Sequence, residues 1–210
     1  AFDHILEFIS PERTETDVAL ELDFFMRRSG ADGIAFQTIA VSGSASSLPH
    51  GVPRNIPLEH GFLTMDYGAE VSGYRSDMTR TVCIGRADEE MRTIYGTVLR
   101  AQLAAESALR AGMLCSEADG IARKIIDDAG YGKCFGHSLG HGVGLFIHEA
   151  PNLSPHAGER RLRPGNIVTV EPGIYIEGRC GVRIEDMALI EEGGARILTS
   201  CPKELIELCV

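Results

Sequence analysis

The chain has 210 residues, 44% hydrophobic and 24% charged, which are globular values that exclude disorder as the main state and allow a sizeable core. Its net charge of -10 argues against a nucleic-acid partner, because binding a phosphate backbone calls for a basic patch. No apolar run reaches the ~20 residues that span a bilayer and no basic n-region precedes one, so no membrane association is expected.

In chain order, AFDHILEFI begins inside a helical pattern, with Phe2, Ile5, Leu6 and Ile9 at helical spacing and no initiator methionine, which reads as a piece of something longer. Thr14 or Thr16 can cap a second helix to about Arg28, with an apolar stripe of Val18, Leu22, Phe25 and Met26 and Gly30 as its stop. A glycine-rich stretch then leads to His50-Gly51-Val52 in LPHGVP, followed by a strand with Asp66-Tyr67-Gly68 in LTMDYG. Next comes GYRSDMT, with the pattern Gly-x-Arg-x-acid as Gly73, Arg75 and Asp77.

The same plan follows again. A long helix is predicted from about Asp88 to Ala111, then a Ser116-capped helix through Ile121, Ile125 and Ile126, stopped by Gly130. His141-Gly142-Val143 in LGHGVG, Glu171-Pro172-Gly173 in VTVEPG and Gly181, Arg183, Glu185 in GVRIED complete it. Any one short match arises readily by chance, but four in the same order read as a tandem duplication, about 1–105 and 106–210, within one domain spanning 1–210. Two halves folded about a pseudo-two-fold axis are expected to build a site where they meet.

Strand side chains alternate, so Arg183 and Glu185 share one face while Val182 and Ile184 share the other, and a charge on so apolar a strand needs a partner. If the hairpins of the halves face each other, Asp66, Asp77, Glu171 and Glu185, each expected on a strand, converge among Leu63, Met65, Val170 and Ile184. Four carboxylates in a low-dielectric site repel one another unless cations intervene. Oxygen ligands with one imidazole, His141, suit manganese, iron, cobalt or zinc. Two such ions about 3.5 to 4 Å apart lower the pKa of a shared water and polarise a carbonyl, which is hydrolytic chemistry. Arg75 and Arg183, each two residues before a ligand, would orient the carboxylates from behind. Taken singly, each acid is more simply a solvated hairpin carboxylate and His141 a loop histidine; His4, His60 and His156 stay in that bland class.

The six cysteines, at positions 83, 115, 134, 180, 201 and 209, contain no CxxC pair, so a zinc knuckle or dithiol redox motif is not suggested. Free thiols in a reducing cytosol are the simplest account, and a cytoplasmic protein is expected.

GHSLGHGVGLFIHEAP, VTVEPGIYIEGRCGVRIED and LTMDYGAEVSGYRSDMTRTV resemble the pita-bread metallopeptidases, closest to the Xaa-Pro dipeptidase and aminopeptidase branch, over essentially the whole chain. The resemblance implies an α+β fold with an antiparallel sheet curved around the site and helices outside. It implies Asp66 as a bidentate metal ligand, Asp77 and Glu185 as acids shared by two ions, and His141 and Glu171 as ligands of one of them. Glu171 would also shuttle a proton from water to the leaving amine. His50 and His148 would hold the substrate carbonyl and the tetrahedral intermediate, His137 would line the pocket, and Tyr175 would support the ligands beside Arg75 and Arg183.

The implied reaction is attack of a metal-bridging hydroxide on the first peptide carbonyl of a dipeptide or short peptide with proline second, without a covalent enzyme intermediate. Two divalent ions are implied, manganese foremost, with cobalt, zinc or iron as alternatives. The scissile nitrogen of an Xaa-Pro bond carries no hydrogen, so the site must accept a rigid ring without that handle. Longer members of this branch carry an extra amino-terminal domain, which this chain is expected to lack; a homodimer is compatible with the family. Methionine aminopeptidases share the five ligands and would suit HGVP, though EPGIYIEGRCGVRIED favours the proline-specific branch. A non-catalytic binding module on this scaffold should show broken ligand positions, and a metal-independent amidinohydrolase should lack the acidic set; neither holds here.

Overall fold

A computed structural model describes residues 1–209. Two helices open the chain, α1 (Phe2–Phe8) and α2 (Glu15–Arg28), followed by strands β1 (Gly33–Ile34), β2 (Ile39–Ser42), β3 (Gly61–Tyr67), β4 (Ala69–Val71), β5 (Tyr74–Arg75) and β6 (Met78–Ile84). A second pair, α3 (Glu89–Ala108) and α4 (Cys115–Asp128), precedes β7 (Gly140–Gly142), β8 (Glu149–Leu153), β9 (Ile167–Val170), β10 (Gly173–Ile176), β11 (Cys180–Arg183), β12 (Asp186–Glu191), β13 (Gly194–Ile197) and β14 (Glu207–Leu208).

Local chemistry sets the helix ends. Thr14 caps α2 through a reciprocal box: Asp17 N–H donates to Thr14 Oγ1 at 3.0 Å while Thr14 N–H donates to Asp17 Oδ2 at 2.9 Å. Asp88 caps α3 by accepting from Met91 N–H at 2.8 Å. Gly30 and Gly130, at φ +106° and +87°, supply the left-handed residue just beyond α2 and α4. Two expected bounds differ. Helix α3 stops at Ala108, not Ala111, and Ser116 lies inside α4, whose cap residue is Leu114. No hydroxyl is needed there, because Cys115 N–H already donates to the Arg160 carbonyl at 2.9 Å.

The sheets repeat one arrangement. One runs β14-β6-β3-β2 and the other β13-β12-β9-β7-β8, with β3/β6 and β9/β12 as matching antiparallel pairs. The hairpins β4–β5 and β10–β11 extend from equivalent points. Helix α3 lies between the two series, and residue 105, near which the sequence repeat is expected to divide, falls within it.

Each helix pair has its own apolar floor. Ile5, Val18 and Leu22 pack with Leu63 and Met65, while Ile94, Val98, Ala101 and Ile126 pack with Val168, Val170, Val182 and Ile184. Each such fully buried aliphatic side chain contributes about 2 kcal/mol. Between the halves, Phe62 and Cys83 pack into the second cluster, and a set of hydrogen bonds joins the strands. Thr81 Oγ1 donates to the Arg183 carbonyl at 2.9 Å, Glu185 N–H to the Thr79 carbonyl at 3.1 Å, and Gly181 N–H to Ser46 Oγ at 2.9 Å. A Cβ on Gly181 would lie 2.2 Å from the Ser46 carbonyl oxygen, so only glycine permits this approach. Among the described residues no helix is long and apolar enough to cross a membrane, and the cysteines are free thiols.

Candidate metal centre

Arg183 ends β11 and, though 3% exposed, has every guanidinium nitrogen engaged. Its Nη2 donates to Asp66 Oδ2 at 2.6 Å, its Nη1 to Tyr175 Oη at 2.8 Å and the Pro49 carbonyl at 3.2 Å, and its Nε to Thr79 Oγ1 at 3.0 Å. Thr79 in turn donates to Glu185 Oε2 at 2.6 Å. The charge on this buried strand thus finds its partner on β3, in the other half.

Of the four acids, only Asp66 lies within a strand. Asp77 sits in the link before β6, Glu171 directly after β9, and Glu185 in the link between β11 and β12. A paired strand holds its side chains perpendicular to the sheet. Just past a strand end the backbone is released, and acids from several segments can turn to one point. Val182, Arg183, Ile184 and Glu185 are all buried, so this run has no solvent face.

One oxygen or nitrogen from each of Asp77, His141 and Glu185 falls within 4.8 Å of the others, close enough to ligate one cation. His141 Nε2 lies 3.2 Å from Glu171 Oε1 and 3.6 Å from Asp77 Oδ2. Its Nδ1–H donates to the Gly142 carbonyl at 3.1 Å, which aims Nε2 at the acids. Thr169 Oγ1 holds Glu171 Oε1 at 3.1 Å and accepts from His141 N–H at 3.0 Å.

Burial, then the charges of Asp66 and Glu171, push the Asp77 carboxyl well above its usual range. Burial, then Asp77, Glu171 and Asp66, do the same to Glu185. Burial also raises Asp66, against the opposing charge of Arg183. For Glu171, burial is outweighed by the His141 bond and the charges of His137, His141 and Arg183, and its pKa is lowered. Burial acts to lower the His141 imidazole, but its contact with Glu171, the Glu171 charge, the Gly142 carbonyl and the charge of Asp66 together raise it.

Three buried carboxylate oxygens, Asp66 Oδ1, Asp77 Oδ1 and Glu185 Oε1, have no hydrogen-bond partner among the described residues. A buried carboxylate oxygen without a donor costs free energy that a cation would recover. Four carboxylates and one imidazole nitrogen form a donor set suited to divalent ions, so the residues present fit a metal.

The cluster faces a cavity of about 700 Å³, also lined by His50, His137 and His148. The His148 ring meets that of His141 edge-on at 4.4 Å, and burial, then the neighbouring His141, lowers its pKa. His137 is lowered by burial, donates from Nδ1 to the Ser138 carbonyl at 2.8 Å, and accepts at Nε2 from Tyr175 Oη at 3.0 Å. Burial pushes the Tyr175 phenol up to about 12, so it stays a neutral relay between Arg183 and His137.

Arg75 does not join this arrangement. Its Nε donates to Glu70 Oε2 at 3.2 Å across the β4–β5 hairpin, and no site carboxylate pairs with it among the described residues. The expectation that it orients a ligand fails because a local acid takes the guanidinium first. Sequence reasoning also missed Thr79 and Thr169. The cue was present: a threonine stands two residues before the acid in both LTMDYG and VTVEPG, and Thr79 stands two after Asp77.

Residues 1–192 match metallopeptidase family M24. The Xaa-Pro dipeptidase of Pyrococcus furiosus is 47% identical over 202 residues, 96% of this chain and 58% of that protein. The uncharacterized peptidase YqhT of Bacillus subtilis is 49% identical over 209 residues, 99% of this chain and 59% of that protein. Among solved structures, the Xaa-Pro dipeptidase from Bacillus anthracis superposes with a TM-score of 0.96 at 48% identity, covering 99% of this chain and 58% of that one. The chain therefore spans under two thirds of the length of these relatives.

Proposed function

We propose, from the premise that the chain belongs to metallopeptidase family M24, that it hydrolyses the amino-terminal Xaa-Pro bond of dipeptides or short peptides with two divalent ions. Asp66, Asp77, His141, Glu171 and Glu185 would hold the ions, with manganese foremost and cobalt, zinc or iron as alternatives. When bound, such ions supply an activated water near neutral pH and polarise the scissile carbonyl. The observation that carries the reading is the set of three buried, unpartnered carboxylate oxygens on Asp66, Asp77 and Glu185 around His141.

The chain's own residues do the rest. Arg183 fixes Asp66 and, through Thr79, Glu185, so both carboxylates are oriented before substrate arrives. Glu171 has Oε1 held by Thr169 and His141, leaving Oε2 to take a proton from the attacking water and return it to the leaving nitrogen. His148 and His50 line the cavity beside the acids and would donate to the carbonyl oxygen as it gains charge. His137, aligned by Tyr175, faces the same space. Apolar Phe36, Ile39 and Ile147 give the cavity walls that accept a proline ring having no N–H to recognise.

The test is metal analysis of protein purified without chelator, together with rates on Ala-Pro and Met-Ala peptides. About two divalent ions per chain and faster Ala-Pro cleavage are expected. Faster Met-Ala cleavage would move the chain to the methionine aminopeptidase branch, and no ion uptake after manganese or cobalt supplementation would favour a binding module.

A further inference from the structure

Two further hollows share lining residues in series with the main cavity. One, of about 460 Å³, shares His148 and Asn152 with it and reaches His156 and Arg160. The next, of about 680 Å³, shares Ala150 and Arg160 with that hollow and adds Arg161 and Arg163. Both fall in the range of about 300 to 1,000 Å³ common for ligand pockets. Together they form a trough leading away from the acids.

The lining sets three arginines of ERRLRPG, within four positions, against Glu149 and Glu159, a local positive excess in a chain whose net charge is -10. Arg161 is tied down, its Nη1 donating to the Gly112 carbonyl at 2.7 Å. Arg160 has a fixed backbone and an unengaged headgroup. Its carbonyl accepts from Cys115 N–H at 2.9 Å and its N–H donates to the Ala157 carbonyl at 3.3 Å, while its guanidinium has no partner among the described residues. The main cavity offers one arginine, Arg183, already engaged by Asp66 and Tyr175. A carboxylate passing His148 therefore meets no free guanidinium before Arg160.

We infer that the part of the substrate beyond the scissile bond lies along this trough and that Arg160 receives its terminal carboxylate, so that peptides of three or more residues are the preferred substrates. This rests on the peptidase reading above and adds the substrate class to it. A guanidinium binds a carboxylate by paired charge-assisted hydrogen bonds. Arg160 is exposed, so the gain is modest and screened by salt.

The experiment compares kcat/KM for Ala-Pro-Ala with that for its carboxyl-terminal amide. The metal-loaded protein should prefer the free acid about fivefold, less so as salt is added. Arg160→Gln should bring the ratio to about one, and Arg160→Glu should invert it. Arg160→Lys keeps the charge and should keep part of the preference. Titration calorimetry of Pro-Ala and its amide should show the same contrast in Kd without turnover. An unchanged acid-to-amide ratio in Arg160→Gln overturns the inference, as does faster wild-type cleavage of Ala-Pro than of Ala-Pro-Ala. Failure to cleave any of these peptides overturns the peptidase reading itself, and this inference with it.

Discussion

Arg183 and Asp66, 117 positions apart, meet at 2.6 Å across the seam between the halves, and the same guanidinium reaches Tyr175, Thr79 and the Pro49 carbonyl. Deleting one member of a buried ion pair strands the other, at a cost of about 3 to 5 kcal/mol. Arg183→Met should lose that much in urea unfolding, with Arg183→Lys between it and wild type, because a lysine restores charge but not the fork. A methionine variant as stable as wild type would show that Asp66 does not depend on this arginine.

A second buried network predicts how stability responds to pH. Glu106 accepts from Gln102 at 2.7 Å and pairs with Lys203 at 2.6 Å, and Lys203 also reaches Asp186. Burial, with the carboxyl of Asp186 nearby, lifts Glu106 from 4.5 to about 7 despite Lys203. A folded-state pKa raised above the unfolded value means a contribution fully present below about pH 4.5 and lost as pH rises through about 7. Up to about 3 kcal/mol is at stake over that window. Glu106→Gln cannot titrate, so its stability should fall less than that of wild type between pH 5 and 8, read by urea unfolding at each pH. Parallel curves would remove Glu106 as the source.

Much of this layout was legible in the sequence, and the failures have local causes. The cap at Thr14, the helix start near Asp88 and the stops at Gly30 and Gly130 lie in short-range patterns, and the four motifs recur in order because the two sheets repeat one strand arrangement. The same recurrence misleads at Arg75. In the first hairpin the residue opposite Arg75 is Glu70, whereas opposite Arg183 stands Gly173, which offers no side chain. Identical Gly-x-Arg-x-acid patterns thus send one arginine to a neighbour and the other across the seam. Cross-strand register decides between them, and the motif alone does not contain it. Arg80 was missed for a related reason. It is 1% exposed and donates to the Glu185 carbonyl at 2.6 Å and to Asp186 at 2.7 Å, contacts more than a hundred positions away.

His148 separates ligation from transition-state stabilisation. Its ring lies against that of His141 in the cavity, yet it is absent from the tight set of Asp77, His141 and Glu185. His148→Ala should leave metal content at the wild-type value while kcat/KM on Ala-Pro falls about 10²- to 10³-fold, the usual cost of one oxyanion donor. Loss of metal in this variant would place the imidazole among the ligands instead.

Glu171 is assigned two duties, and one substitution tests them together. Glu171→Gln keeps a carbonyl oxygen for Thr169 and for an ion but cannot carry a proton near neutral pH. On the proposed reading kcat should fall by at least about 10²-fold. KM should change far less, because the lost interaction belongs to the transition state. Metal content measured on the same sample divides the outcomes. A slow variant that retains its ions assigns the proton transfer to Glu171, and a slow variant that has lost them reduces its role to ligation. A metal-replete variant that turns over at the wild-type rate would move the shuttle to another group in the cavity.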